Sequence, residues 1–445
     1  MPTYLVGGAV RDLLMGRDPS DRDYVVTDTT PAQMLELGFT QVGADFPVFI
    51  HPHSGEEYAL ARKERKIGAG YNGFSTEYAG VTLFDDLSRR DLTCNAIAID
   101  PVSSDIIDPF RGGRDIRDKV LRHVSDAFRE DPVRVLRLAR LASKLDFDIA
   151  PETAVLCREM VAAGELDHLT PERVRQELIK TLGQKNPSRF FTALDEVGAL
   201  ETLFPEVHAL KGQTQPVEHH AEGDAFAHTM MVLDAVYGLS ENDVIVGRLT
   251  GAQDAKVDLP LNAFAALCHD LGKGLTPKEL LPKHHGHEEA GVPVTLALCR
   301  RLKMPSDYER TALKATRFHN HVHLSRVMTP KSFARIFDAM GSHTQLADIE
   351  VVARVGLADE TGRIYDRKAP YEEHRRFLAT MSAVSRVRVR DAFAPEQIKT
   401  MGPEKIKNAL QRLRATAAAR ALDEFAGKNH ERARASAPQQ KFERG

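Results

Sequence analysis

A glycine pair placed between two short apolar runs constrains this chain more than any other feature. Tyr4-Leu5-Val6 leads into Gly7-Gly8, a helix-like Ala9-Val10-Arg11-Asp12 follows, and Asp21-Arg22-Asp23 opens a second apolar run, Tyr24-Val25-Val26. Side chains alternate across a strand, so an extended Asp21-to-Val26 segment puts Asp21 and Asp23 on one face. Two neighbouring carboxylates repel unless a hard cation lies between them, and Mg²⁺ is commonly held by one or two carboxylates together with substrate phosphates. A Gly-Gly turn that opens a helix presents backbone N–H groups to an anion. Singly, the glycines read as a plain turn and the D-x-D as a solvated strand end. Together they point to metal-assisted chemistry on a nucleoside triphosphate.

The rest of the first 125 residues alternates β-rich runs with turns: Tyr4–Val6, Tyr24–Val26, Val48–His51, Glu57–Ala61 and Ala96–Asp100, with a helix-like Pro31–Leu37 among them. This is the pattern of a small α/β or α+β domain on a mixed sheet. Between Lys66 and Gly80, four glycines and three aromatic residues read as a loop beside a site. From Asp126 onward the apolar spacing turns helical, as in Val135, Leu138, Ala142 and Leu145. Asp131 and Pro132 suit the start of that helix, and Thr170-Pro171-Glu172-Arg173 suits the start of another. Gln213 to Gly223 is polar, a candidate boundary. A His-rich helical region follows to about Asp359, with further helices expected over 370–381 and 395–426 and a polar tail from Ser436.

At 445 residues, 42% hydrophobic and 28% charged, the chain has the length for two to four ordinary cores. No apolar run approaches the roughly 18 residues of a membrane span, and no basic-then-apolar leader precedes the glycine pair. Four scattered cysteines without a C-x-x-C pattern suit reduced thiols in the cytoplasm. From Arg375 to Gly445 there are 16 Lys/Arg against 7 Asp/Glu, on a chain of net charge −3. That basic segment on an acidic body reads either as a footprint for a polyanion or as a solvated helical surface.

Two further clusters carry cations. Arg89-Arg90-Asp91 precedes a strand-like run, and arginine's forked donors suit phosphate and ribose. Arg134, Arg137 and Arg140, spaced by three behind Glu130-Asp131, share a broad face opposite the apolar stripe. That face reads as solvated, or as a base reader: Asp131 accepting from the amino group of cytosine or adenine, Arg134 donating to ring or carbonyl acceptors. Neither guanine nor uracil presents the same pattern.

Gly7-Gly8-Ala9-Val10-Arg11-Asp12, Asp21-Arg22-Asp23, Arg89-Arg90-Asp91 and Glu130-Asp131-x-x-Arg134 occur in the order that resembles class II tRNA nucleotidyltransferases, the CCA-adding enzymes. Their catalytic head resembles that of DNA polymerase beta. The resemblance implies that Asp21 and Asp23 hold Mg²⁺ and that Gly8 and Arg11 meet the incoming phosphates. It also implies that Arg90 contacts sugar or phosphate, that Asp131 and Arg134 template CTP or ATP, and that Arg137 and Arg140 support the pocket. The Gly-rich 66–80 stretch corresponds to the family's flexible loop. Whether Glu57 joins as a third carboxylate is left open.

His228, His269-Asp270 and Asp359, after the apolar Ala263–Cys268 and with Leu271-Gly272-Lys273-Gly274 following the pair, look like the H…HD…D signature of HD metal-dependent phosphohydrolases. His285-Gly286-His287 and His319-Asn320-His321 lie in the same region. Imidazole and carboxylate ligands suit a transition metal such as Ni²⁺, Mn²⁺ or Co²⁺, with Mg²⁺ still compatible. Relatives with this domain act as phosphatase, 2′-nucleotidase and 2′,3′-cyclic phosphodiesterase. A degenerate, purely structural HD domain is the bland alternative.

The expected architecture is therefore an α+β nucleotidyltransferase head with a mixed sheet at 1–125, then an all-α body. The body divides into a nucleotide-recognition and tRNA-binding region at 126–215, an HD domain at 224–370 and a basic helical tail at 371–445. The expected partners are tRNA, CTP and ATP, with no membrane, as monomer or homodimer. A poly(A) polymerase, or an enzyme adding only CC or only A, shares the same head. An HD phosphohydrolase with an RNA-binding head and a non-catalytic tRNA-binding module are the readings from other classes.

Overall fold

A computed structural model of the chain describes residues 1–42, 48–66, 74–77, 80–218, 220–242, 257–341, 345–364, 372–391 and 393–436. Two compact units form, Met1–Pro205 and Glu206–Gly445. The four-part division read from sequence is finer than this.

The first unit is built on a mixed sheet. Its strands are β1 (Thr3–Val6), β2 (Asp23–Val26), β3 (Thr40–Val42), β4 (Val48–Ile50) and β5 (Glu57–Leu60), with β6 (Lys63–Lys66) and β7 (Phe74–Glu77) as a separate ribbon, then β8 (Ala98–Ile99) and β9 (Ile106–Ile107). The seven-stranded order is β3-β4-β5-β2-β1-β8-β9. β2 and β5 run parallel and the other neighbours antiparallel. Val6 and Val25 bury one face with Leu87 and Ala98, while Val26, Met34, Phe49 and Leu60 bury the other. Alternation along β2 thus sends Val25 and Val26 into two different cores.

The register corrects one expectation. Asp21 does not lie on the strand, which begins at Asp23. Val6 pairs with Asp23, and Gly7 then turns away at φ 73° into α1 (Gly8–Leu14). On the other side β5 begins at Glu57, opposite Asp23. Both neighbours end there, so Asp21 and Arg22 have no strand to pair with. The Gly-rich 66–80 stretch also departs from a continuous loop: Phe74–Glu77 pairs with Lys63–Lys66, and residues 67–73 and 78–79 lie outside the described residues.

Two short helices, α2 (Pro31–Glu36) and α3 (Leu83–Ser88), flank the sheet segments, and α4 (Gly112–Asp118) precedes the helical part. There, α5 (Val133–Leu145), α6 (Pro151–Ala162), α7 (Pro171–Leu182) and α8 (Ser188–Glu196) follow. The expected 3–4 spacing buries Val135, Leu138, Ala142 and Leu145 of α5, which packs on α7 and α8. Phe190, Phe191 and Phe204 meet edge to face in that core.

The second unit is helical. Helices Ala225–Asn242, Leu259–Cys268, His287–Arg301, Ser306–His323 and Leu346–Thr361 carry the histidine-rich region. Beyond it, Phe333, Phe377, Met381 and Ala418 share a core with Phe318 and Val322. The helix expected over 395–426 is broken: Met401 is extended, so Pro395–Thr400 ends and Pro403–Ser436 starts anew. Among the described residues no helix is long and apolar enough to cross a membrane.

Candidate functional site

A cavity of about 720 Å³ in the first unit is lined by Gly7, Gly8, Arg11, Asp23, Arg90, Asp131, Arg134, Arg137 and Arg140, among others. It brings together nearly every residue singled out in the head. Asp21 is exposed and not part of that lining. Ten Lys/Arg against five Asp/Glu line the cavity, so it attracts a polyanion.

The glycine pair is the corner of this cavity, packed by two guanidinium groups. A Cβ on Gly7 would lie 3.1 Å from Arg90 Nη1, and one on Gly8 would lie 3.4 Å from Arg11 Nη2. Arg11 itself is buried. Its Nε and Nη2 donate to Asp12 Oδ1 at 2.8 and 2.7 Å, and its Nη1 to Asn95 Oδ1 at 2.7 Å. Arg90 is held from below, donating to Asp86 Oδ2 through Nε and Nη2, while Arg89 donates to Asp86 Oδ1. Burial favours a neutral Asp86, but Arg90 and Arg89 keep its carboxyl below the usual range.

Asp23 sits at the rim. Partial loss of water raises its carboxyl above the ordinary value, Arg90 opposes this, and Asp21 adds to it. A carboxylate pushed toward protonation by a neighbouring carboxylate is the kind of donor a divalent cation relieves. Glu57 is the register partner of Asp23 on the adjacent parallel strand, hence on the same face. Asp21, Asp23 and Glu57 offer only oxygen donors, the type a hard cation such as Mg²⁺ takes, but they do not form a group of ligand atoms within 4.8 Å of one another, and Glu57, like Asp21, is not in the cavity lining.

The far wall is a lattice of ion pairs on α5 and α7. Arg173 grips Asp131 with both arms, Nη1 to Oδ1 at 2.9 Å and Nη2 to Oδ2 at 2.7 Å. Asp131 Oδ1 also accepts the Val133 N–H at 3.1 Å, which starts α5. Arg134 is buried, and its Nη1 donates to Ala127 O at 2.7 Å. Arg137 donates to buried Asp91, Nε at 2.8 Å, with Asn95 and the Leu92 N–H completing that carboxylate. Burial alone would raise Asp91, yet Arg137 and Asn95 hold it well below the usual range. Arg140 donates to buried Glu177 at 2.5 Å. The arginines of α5 are thus not the solvated face that is one of the two sequence readings; each described guanidinium there is locked from behind.

In the second unit, His228, His269, Asp270 and Asp359 converge as the sequence order suggests. His228 Nε2 lies 3.0 Å from Asp359 Oδ1 and 3.8 Å from Asp270 Oδ2, and His269 Nε2 lies 3.2 Å from Asp270 Oδ2. Each imidazole is anchored at its other nitrogen: His228 Nδ1 on Glu222 Oε1 at 2.8 Å, His269 Nδ1 on Ala266 O at 2.6 Å. An Nδ1–H donated outward leaves the Nε2 lone pair facing the cluster, which is how metal-ligating histidines are set. His228 Nε2, His269 Nε2 and Asp270 Oδ1 are buried without a well-formed hydrogen bond. Buried polar atoms are rarely left so, and their convergence fits a metal ion. Burial opposes charge on Asp270, but His269 and Lys273 hold it well below the usual carboxylate range.

Sequence reasoning gave no role to Arg173, Asp91, Asn95, Glu177 or Glu222. Arg173, Glu177 and Lys180 recur at helical spacing on α7, and all three line the cavity. That spacing is the signal that was available. His287 and His319, to which the sequence pattern gives no role, lie 3.1 and 3.6 Å from Asp270 Oδ1 through their Nε2 atoms.

A mixed-sheet nucleotidyltransferase head followed by a helical body with an HD domain is the class that this fold and these two clusters define. Residues 3–122 match the family described as the Poly A polymerase head domain, residues 146–211 the probable RNA and SrmB-binding site of polymerase A, and residues 226–363 the HD domain. Solved structures of CCA-adding enzymes share the fold. One in complex with ATP is 19% identical at a TM-score of 0.59, covering 97% of this chain and 90% of that one. Another with CTP is 19% identical at 0.59, covering 96% and 91%. The Thermotoga maritima CCA-adding enzyme complexed with tRNA is 19% identical at 0.58, covering 96% and 91%. The chain combines a Poly A polymerase head, the RNA-binding region and an HD domain, an organisation consistent with a class II CCA-adding enzyme carrying an HD domain.

Proposed function

We propose that this chain adds and repairs the 3′-terminal CCA of tRNA from CTP and ATP without a nucleic-acid template. The observation that carries this reading is one cavity lined by both Asp23 and the Asp131/Arg134 pair. In the reaction the tRNA 3′-hydroxyl attacks the nucleotide α-phosphate and pyrophosphate leaves. Mg²⁺, when held by Asp21 and Asp23 with Glu57 as a third donor, supplies charge for the attacking and leaving oxygens. The Gly7-Gly8 corner and Arg90 receive the triphosphate and sugar, and Arg11 shapes that corner through Asp12 and Asn95. Arg137 and Arg140 hold the wall.

Base choice follows from lone-pair arithmetic. Among the described residues, Asp131 Oδ1 accepts from Arg173 and Val133, while Oδ2 accepts from Arg173 alone. One acceptor position on Oδ2 remains for the amino group of cytosine or adenine. Arg134 uses Nη1 toward Ala127 and keeps further N–H groups for base acceptors. Arg173 is then a positioning residue. Arg173→Ala is expected to raise the KM for CTP and ATP about tenfold and to admit UTP, since a good bidentate base pair is worth about 1–3 kcal/mol of discrimination. Arg173→Lys, which keeps charge and loses the fork, should restore little. Unchanged UMP incorporation in Arg173→Ala would remove Arg173 from base selection.

The tRNA acceptor is supported by the tRNA complex of the Thermotoga maritima relative and by the basic 375–445 segment. The deciding assay offers a tRNA lacking CCA with CTP alone, ATP alone, and both. CC addition, no addition and full CCA are expected in turn. Unlimited A addition with ATP alone would mean a poly(A) polymerase instead.

The HD cluster is read as a second, hydrolytic centre acting on phosphomonoesters or 2′,3′-cyclic phosphates of damaged tRNA ends, with a transition metal, Ni²⁺ among them, on His228, His269, Asp270 and Asp359. Its support is the set of outward-anchored imidazoles and orphaned buried atoms.

A further inference from the structure

We infer that a small cavity beside the HD cluster seats the terminal nucleotide of the substrate, with Lys283 and His285 on its phosphate and Leu275, Pro277 and Leu280 against its base. The inference rests on the reading of that cluster as a hydrolytic centre for phosphate esters, and it names the residues that choose the ester. The cavity holds about 270 Å³, close to the lower end of the roughly 300–1,000 Å³ usual for small-molecule sites. One residue joins it to the cluster: His287 lines the cavity and places Nε2 3.1 Å from Asp270 Oδ1. A phosphate held in the cavity therefore lies beside the His-Asp pair.

The lining divides by chemistry. Leu275 and Leu280 are 58% and 59% exposed, and Pro277 between them is exposed as well. A single exposed leucine is ordinary, but these three side chains share one cavity wall and form an uncovered apolar face. Bases pack against apolar side chains of this kind. Lys283 and His285 line the same cavity, and neither has a side-chain partner among the described residues. No carboxylate among those residues lines it. Lys273, by contrast, is engaged, with Nζ 2.5 Å from Asp270 Oδ2 and 2.6 Å from Gln215 Oε1. Lysine binds phosphate as a point charge, and either neutral tautomer of His285 keeps one N–H to donate. The wall is also held in place. Burial lowers the pKa of His284, so its ring is neutral. Its Nε2 donates to Thr214 O at 2.9 Å, and its Nδ1 accepts from Thr276 Oγ1 at 2.8 Å. Thr276, beside the apolar face, is thereby tied to the residue that sits between Lys283 and His285.

Two readouts on the full chain test this. The first is hydrolysis, with Ni²⁺ present, of 2′-AMP and of glycerol 2-phosphate, an ester without a base. Lys283→Ala is expected to raise the KM for both about tenfold with kcat little changed, since a hydrogen bond to a charged group is lost. Lys283→Arg should recover most of that loss. Leu275→Ser combined with Leu280→Ser should raise the KM for 2′-AMP about tenfold more than that for glycerol 2-phosphate. The second readout is binding without turnover. The chain has no tryptophan, so Leu280→Trp puts a single indole in the cavity. 2′-AMP should quench its fluorescence saturably, glycerol 2-phosphate should not, and adding Lys283→Ala should weaken the titration about tenfold. The substituted side chains are exposed, so the variants should keep the parent's melting transition. An unchanged KM in Lys283→Ala, equal effects of the leucine pair on both esters, or no quenching overturns the inference. Saturable quenching in a protein that hydrolyses neither ester would sink the hydrolytic reading and leave the nucleotide seat standing; hydrolysis by Lys283→Ala at the parent's KM would do the reverse.

Discussion

Asp23→Ala is expected to reduce nucleotide incorporation by about a thousandfold or more while leaving Mn²⁺ binding at the HD cluster intact. Asp23 is the carboxylate at the first register position of β2, facing Val6 on one side and Glu57 on the other. It lines the cavity, and its carboxyl is already pushed up by lost water and by Asp21. On the proposed reading, a neutral side chain there removes one of the oxygen donors to the metal. Metal-borne charge stabilisation is worth several kcal/mol, and each ~1.36 kcal/mol is tenfold in rate. The measurement is CMP and AMP incorporation into a tRNA lacking CCA, at saturating Mg²⁺. Activity within tenfold of the parent would mean that the metal is held elsewhere. The companion variants separate the other two carboxylates. Asp21 lies off the strand and Glu57 on the strand beside Asp23, and neither is in the cavity lining. Asp21→Ala should be as damaging as Asp23→Ala if Asp21 bends in to the ion. A tolerated Asp21→Ala with a dead Glu57→Gln would reassign the second ligand.

Gly272→Ala should dismantle the HD cluster and spare the head. A Cβ at position 272 would lie 2.0 Å from His287 O and 2.6 Å from Gly291 N, both backbone atoms of the helix His287–Arg301. Backbone cannot rotate out of the way as a side chain would, so the helix start must move. That start carries His287, 3.1 Å from Asp270. Overpacking typically costs about 1–3 kcal/mol, and a clash with main chain belongs at the upper end. For a unit of this size that lowers the melting transition by about 5–10 °C, and Mn²⁺ affinity should fall at least tenfold. Nucleotide incorporation should stay within twofold, since the first unit has its own core. Unchanged melting and metal affinity would show that the close approach is dispensable.

Much of the head was legible because its signals are local. The alternation through Tyr24-Val25-Val26 marked a strand, the glycine pair marked the turn, and Pro132 and Pro171 marked helix starts that the structure keeps. The mixed sheet followed from the same runs. The end of β2 was not legible. It depends on where β1 and β5 stop, and only the assembled sheet shows that Asp21 has no neighbour to pair with.

The chemistry divides in the same way. Sequence by itself determined which residue types are present and their order: the carboxylates Asp21 and Asp23, the arginines of α5, the adjacent His269-Asp270. Tertiary structure decided what each side chain is attached to. Arg11 reaches Asn95 across 84 positions, Arg137 reaches Asp91 across 46, Arg173 reaches Asp131 across 42 and Arg140 reaches Glu177 across 37. Likewise the two oxygens of Asp270 each find a different pair of histidines. The physical reason is range. Backbone preference acts over a few residues and is written in neighbours, whereas a buried charge must find its partner wherever packing brings one, and that partner fixes which lone pairs and N–H groups remain for substrate and metal.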